Sequence, residues 1–133
     1  MTATVEFIFD IAAPNGYLAW YPLKDIAART GARLEVTPVF LGGMHKLTGN
    51  APPMIRDAGV KGKVAYAALE FQRFVDRHGM HRFRMHPALP FNSILLQRVL
   101  AAAADEAQRQ ALVEALLSAC LLYTSDAADD SLR

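Results

Sequence analysis

Residues Phe7 to Trp20 read FIFDIAAPNGYLAW. Up to Ile11 the apolar residues alternate, and then the turn signal AAPN interrupts them. After it, apolar residues recur at helical spacing, so a strand runs straight into a helix. Upstream, Val5, Phe7, Phe9 and Ile11 carry the alternation through 4–11. Downstream, Leu18, Trp20, Tyr21, Leu23, Ile26 and Ala27 give GYLAWYPLKDIAART a broad apolar face. Asn15 is the expected N-cap, and Gly31 the residue that ends the helix in a left-handed conformation. Pro22 implies a kink or a late start. A second strand, RLEVTPVF, covers 33–40, with Pro38 marking an edge or a bulge. Strand, helix, strand over this length is a βαβ unit with parallel, adjacent strands.

The segment LGGMHKLTGNAPPM reads as loop from its Gly and Pro content. KVAYAALEFQRFVDRHG is amphipathic, with Val64, Ala67, Ala68, Phe71, Phe74 and Val75 on one face. MHPALPFNS is an extended loop before the helix ILLQRVLAAAA, capped by Asn92 or Ser93. Asp105 opens a last helix to about Ala119. The order predicts an α/β fold: an incomplete thioredoxin-like βαβ half followed by a helical insertion. The expected division is 1–60 for the βαβ part and its loop and 61–119 for the insertion, with helices over 62–104 packed apart from the strands. A non-native tail is expected over 120–133.

That tail, CLLYTSDAADDSLR, breaks the helical pattern and looks like the translation of a transposase-type sequencing adaptor. It is expected to add nothing to stability, and the natural chain to continue differently after Ala119. Of 133 residues, 53% are hydrophobic, which fits a globular domain and not disorder. The net charge of +1 gives no argument for nucleic acid. No apolar run approaches the ~18 residues of a membrane span, and MTATVEF is not a secretory signal. The single cysteine, Cys120, excludes an internal disulfide and a CxxC motif. A cytoplasmic, membrane-free protein is expected.

A strand-to-helix junction presents unpaired backbone N–H groups and the positive end of the helix dipole. A thiolate placed there is stabilised. Here Ala13 stands in the place of a first cysteine and Gly16 in that of a second, so dithiol chemistry is excluded. A thiol supplied by a ligand such as glutathione can still use the junction.

FDIAAPNGYLAW resembles the opening FDxxSPxxYLA of the glutathione-dependent 2-hydroxychromene-2-carboxylate isomerases and their relatives, the kappa-class glutathione transferases. FLGGMHKLTGNAPP, Phe40 to Pro53, is similar to the family's LLGGVFKATGNxPP. The family's K-x-x-Y fits Lys63 and Tyr66, and its P-x-x-P-x-N-S fits Pro87, Pro90, Asn92 and Ser93. The likeness runs in register over about 4–104. It implies a DsbA-like fold truncated at the C-terminus, glutathione as cofactor and a small aromatic substrate, with a homodimer as candidate assembly. The serine that supports the glutathione sulfur falls on Ala13. The backbone of Pro14 and Asn15 would face the ligand, Asn50 matches a glutathione-contacting asparagine, and Lys63 would meet a ligand carboxylate.

Each of these residues has a plainer reading. Asn15 serves as a cap, Asn50 belongs to an ordinary turn, Lys63 is a solvated charge, Tyr66 is core and Ser93 is a cap. His45, His78, His81 and His86 lack the clustered partners of a metal site. Arg73, Arg77, Arg82 and Arg84 read as a solvated face. Three functions remain: an isomerase of an aromatic 2-oxo acid, a glutathione-binding module without turnover, and a kappa-type transferase.

Overall fold

Alternation in TVEFIF produces β1 (Thr4–Phe9), and RLEVTP forms β2 (Arg33–Pro38). They pair in parallel, with Val5 opposite Leu34 and Phe7 opposite Val36. The computed structural model describes residues 2–121. Both strands stop two residues short of the sequence expectation. Past Phe9 the chain turns, with the Ala13 amide donating to the Asp10 carbonyl at 2.9 Å. Past Pro38 one further bond, from the Val39 amide to the Phe9 carbonyl, closes the pair.

Helix α1 (Pro14–Thr30) follows the turn. Its N-cap is Ala13, not Asn15, and no side chain caps it. Proline fits the first helical position, where its missing N–H costs nothing, and that preference moves the start one residue upstream. Pro22 lies inside the helix and does not delay its start. Gly31 ends it at φ 68°, as expected.

The segment read as loop is mostly helical: α2 (Leu41–Thr48) and a single turn, α3 (Pro53–Arg56). Two of its glycines, Gly42 and Gly43, have a packing reason. The Phe40 ring lies across them, and a Cβ at Gly43 would come within 2.9 Å of it. Helix α4 (Lys63–Arg77) forms as expected, but Val75 is its only buried residue. Tyr66, expected in the core, is exposed, and its hydroxyl donates to Glu70.

Helices α5 (Ile94–Ala101) and α6 (Glu106–Leu121) lie on the sheet, so the helices do not all stand apart from the strands. The Asn92 carboxamide accepts from the Ile94 amide at 3.0 Å, whereas Ser93, the N-cap of α5, is buried with its hydroxyl unpaired. Asp105 accepts from the Gln108 amide and caps α6.

Side chains of α6 replace a third strand along β2. Glu106 accepts from the Val36 amide at 2.9 Å, and Gln110 donates to the Leu34 carbonyl at 2.8 Å. These are the backbone groups a neighbouring strand would engage. Glu114 ties α6 to α1, accepting from Trp20 Nε1 at 3.0 Å and from Lys24 Nζ. Burial works against its charge, but the Lys24 and Trp20 hydrogen bonds outweigh burial and hold the carboxyl below its ordinary pKa.

The core gathers Ile11, Trp20, Leu100, Val113 and Leu117, all fully buried. Helix α6 runs past Ala119, and Cys120 packs partly buried against this core, where burial raises its thiol pKa. The remainder of the expected foreign tail, 122–133, lies outside the described residues. Among those described, no helix is long and apolar enough to cross a membrane.

Candidate functional site

The turn between β1 and α1 is held by two buried polar side chains. The first is Asp10, 3% exposed. One of its carboxylate oxygens accepts from the Ala12 amide at 2.9 Å, and the other accepts from the Leu41 amide at 2.8 Å. A single carboxylate thus fixes the entry to α1 and the start of α2 together. The second is Gln97 of α5, 5% exposed. Its Nε2 donates to the carbonyls of Phe9 and Val39, at 2.9 and 2.7 Å, and its Oε1 accepts from the Ile11 amide at 3.3 Å. Where the strands diverge, one carboxamide satisfies backbone groups from both, which is what buried backbone requires.

On this support the mouth of α1 is open. Ala13 and Pro14 are half-buried and Asn15 is exposed. Pro14 has no N–H, so the first amide the mouth offers is that of Asn15. Gly16, one turn in, sits against the strand end: a Cβ there would lie 2.9 Å from the Phe9 ring and 3.4 Å from the Asp10 carbonyl. The second position of a dithiol motif is therefore closed sterically as well as chemically.

The other expected site residues are further off along the chain. Asn50 follows Gly49, the left-handed cap of α2 at φ 66°. Its amide donates to the His45 carbonyl, and its side-chain oxygen accepts from the Ala51 amide at 2.8 Å. Lys63 opens α4, and its ammonium is 2.9 Å from Asp57. Arg56 grips the same carboxylate with two nitrogens, at 2.9 and 3.1 Å. Hydrogen bonds from Arg56 and Lys63 hold the Asp57 carboxyl well below the usual range. Among the described residues, no hydrogen bond or ion pair joins Asn50 or Lys63 to the junction. Nor is any group of three or more His, Cys, Asp and Glu side chains there placed to hold a metal ion.

Sequence reasoning passed over Asp10 and Gln97, yet each left a trace. Asp10 is the charge that directly follows an alternating strand. Gln97 is the polar residue in ILLQRVLA at helical spacing from Ser93 and Leu100, both buried.

The DSBA-like thioredoxin domain model matches residues 4–133. The chain belongs to that family. The 2-hydroxychromene-2-carboxylate isomerase of Sphingobium xenophagum is 40% identical to it over 70 residues, 53% of this chain and 36% of the relative. A solved structure of selenomethionine 2-hydroxychromene-2-carboxylate isomerase superposes with a TM-score of 0.69 at 26% identity, over 89% of this chain and 56% of that one. The match thus takes in about a third of one relative and just over half of the other. The fold of the family member, a DsbA-like thioredoxin fold, agrees with the β1–α1–β2 unit and its added helices.

Proposed function

We propose that this chain carries the junction of a glutathione-dependent isomerase acting on a 2-hydroxychromene-2-carboxylate-like aromatic 2-oxo acid. The observation that carries the reading is the open mouth of α1, locked in place by Asp10 and Gln97. The likeness to two isomerases supports the reaction class. A cytoplasmic setting, a homodimer and the absence of nucleic-acid and membrane partners belong to the same proposal.

The residues present fit glutathione in part. Ala13 and Pro14 at the mouth are small and half-buried, and the Asn15 amide and the helix dipole favour negative charge there. Among the described residues only the oxygen of the Asn50 carboxamide is engaged, which leaves its NH2 for a ligand. Lys63 fits less well, since a ligand carboxylate would compete with Asp57 for it. Bound glutathione would supply the thiolate whose reversible addition turns a double bond into a rotatable single bond. The chain's part is to hold that charge at the helix mouth and to orient the two molecules.

Ala13 favours a second reading, a module that binds glutathione without turnover, because the supporting hydroxyl is missing. The test is thiolate absorbance against pH with saturating glutathione, for the wild type and Ala13→Ser. A restored hydrogen bond to a charged group is worth roughly 1.5–3 kcal/mol, or about ten- to a hundredfold in thiolate stabilisation. The bound thiol pKa should fall by about one to two units in Ala13→Ser, and isomerisation should rise with it. Equal pKa values in both forms would remove Ala13 from the sulfur-supporting role. No binding by either form would remove glutathione. Conjugation of a halogenated aromatic without isomerisation would favour a kappa-type transferase.

A further inference from the structure

Helix α4 covers only part of its apolar stripe. Phe71, Phe74 and Val75 pack against the core, and the Phe71 ring centroid lies 5.1 Å from that of Phe83. Residues 61–70 are all exposed, so the first half of the helix projects beyond the core that its second half joins. The stripe runs on through the projecting half as Val64, Ala67 and Ala68, at the spacing that leads to Phe71 and Val75. An apolar stripe that outruns its own core is surface made for a partner.

Charge decides which partner fits. Lys63 and Glu70 lie seven residues apart, each directly before a stripe residue, Val64 and Phe71. They therefore flank the stripe on the same side with opposite signs. Both have bonding capacity to spare. The Lys63 ammonium, with three N–H donors, is bonded to Asp57. One Glu70 oxygen accepts from Tyr66, and the other has no partner among the described residues. A second α4 laid antiparallel, with Val64 of each copy against Ala67 of the other, brings each Lys63 to the other copy's Glu70. Sliding one helix by seven residues sets Phe71 against Ala67, but it also sets Glu70 against Glu70 and Lys63 against Arg77. The first register alone joins opposite charges, and it alone centres the two-fold axis on the exposed half. Ala67 and Ala68 are small enough there for close approach of the two helices.

We propose that the projecting half of α4 is the seam of an antiparallel homodimer, with Val64 and Ala67 packed across a two-fold axis and two Lys63–Glu70 pairs flanking them. A homodimer is part of the reading above, and to that extent the seam rests on it; the seam needs neither glutathione nor turnover. Two helical turns make a small interface, so the association is reversible, and the charges set its register more than its strength.

The experiment is sedimentation equilibrium of the 133-residue chain from micromolar to millimolar concentration. The wild type should pass from monomer to dimer. Ala67 is exposed in the single chain, so Ala67→Glu should keep the helices seen by far-UV circular dichroism. Its carboxylate would be buried unpaired in the seam, and dimerisation should weaken about tenfold or more. Lys63→Glu and Glu70→Lys should each be monomeric alone, because like charges then meet twice. Mixed one to one, they should dimerise, because both pairs are complementary again. Should Lys63→Glu, beside Asp57, lose its helices, Ala67→Glu still decides. A wild type that stays monomeric overturns the seam and the homodimer together, and leaves glutathione binding untouched. Dimerisation of Ala67→Glu at wild-type strength, or a mixture of two folded charge variants that stays monomeric, overturns the seam and leaves the homodimer standing.

Discussion

Between Phe9 and Trp20, the side chains of Phe9, Ile11, Tyr17, Leu18 and Trp20 are at most 5% exposed. Between Met44 and Leu69, Leu47 is 89% exposed, Met54 73% and Ile55 66%. The only buried residue of that second stretch is a charged one, Asp57, held by Arg56 and Lys63. Both stretches are rich in apolar residues, so composition does not separate them. What separates them is how the backbone is satisfied at depth. In the first, Asp10 and Gln97 take up the amides and carbonyls at the strand ends, which lets aromatic rings close over them. In the second, α2 ends on the left-handed Gly49 and the single turn α3 on Asp57, and neither helix buries a side chain. A proposed site at the α1 mouth therefore stands on the rigid part of the molecule, and Asn50 and Lys63 on the looser part.

The largest expected effect comes from removing the link at the strand ends. Gln97→Leu keeps the volume but leaves the buried Ile11 amide and the part-buried Val39 carbonyl without partners. Each such group costs about 1–3 kcal/mol, so a loss of about 2–4 kcal/mol in urea unfolding is expected. A loss below about 0.5 kcal/mol, the range of ordinary surface changes, would break the contrast between the two stretches.

How much of this was legible follows from the same contrast. Periodicity located β1, α1 and β2, because a strand that alternates and a helix with a wide apolar face leave different spacings. Gly31 and Asp105 marked helix ends by local chemistry alone. Asn15 misled, because asparagine is the better cap in general, while Pro14 decided the start here by its preference for the first turn. The double glycine at 42–43 resembled a loop signal; its real reason, the Phe40 ring lying across it, is a contact that no local rule contains. The apolar face of α4 was readable, but a pattern says which side is apolar and not whether anything covers it. The positions of the candidate mouth, Ala13 to Asn15, were legible. The side chains that hold it come from residues 10 and 97, and their pairing is tertiary.

A smaller effect is expected where α1 approaches the strand. Gly16→Ala brings a methyl to 2.9 Å from the Phe9 ring. Glycine in a helix already costs up to about 1 kcal/mol relative to alanine, and overpacking costs about 1–3 kcal/mol. The balance is a destabilisation of about 1 kcal/mol, read as a lower thermal midpoint. A gain in stability would mean that the ring moves freely and that the mouth is less rigid than argued.

Acid sharpens the comparison, because each stretch has its own low-pKa carboxyl, Glu114 beside α1 and Asp57 beside α4. In both, the folded pKa lies below the unfolded value of about 4. Each thus contributes stability above that pH, and the contribution is lost as pH falls through the folded pKa. Melting temperature against pH should drop below about pH 4. Glu114→Gln and Asp57→Asn should each flatten that drop, while also lowering the midpoint near pH 7. A drop of unchanged steepness in Glu114→Gln would show that the carboxyl is not held by Trp20 and Lys24.

The smallest effect tests whether the second stretch is as uncovered as it looks. Among the described residues Leu47 is the most exposed large apolar one, and exchanging it for serine removes little buried surface. Leu47→Ser should change stability by less than about 0.5 kcal/mol, whereas Leu117→Ala, at a fully buried position, should cost about 2–5 kcal/mol. Protein concentration provides the control. If a second copy covers residues 44–69, the wild-type midpoint will rise with concentration, because association stabilises only the folded chain. Leu47→Ser would then abolish that rise while leaving the dilute protein unchanged. A midpoint independent of concentration, with Leu47→Ser silent throughout, keeps the contrast as drawn. A loss of more than about 1 kcal/mol in dilute protein, beyond what a surface change causes, would mean that Leu47 is covered within the chain itself, and the two stretches would no longer differ in kind.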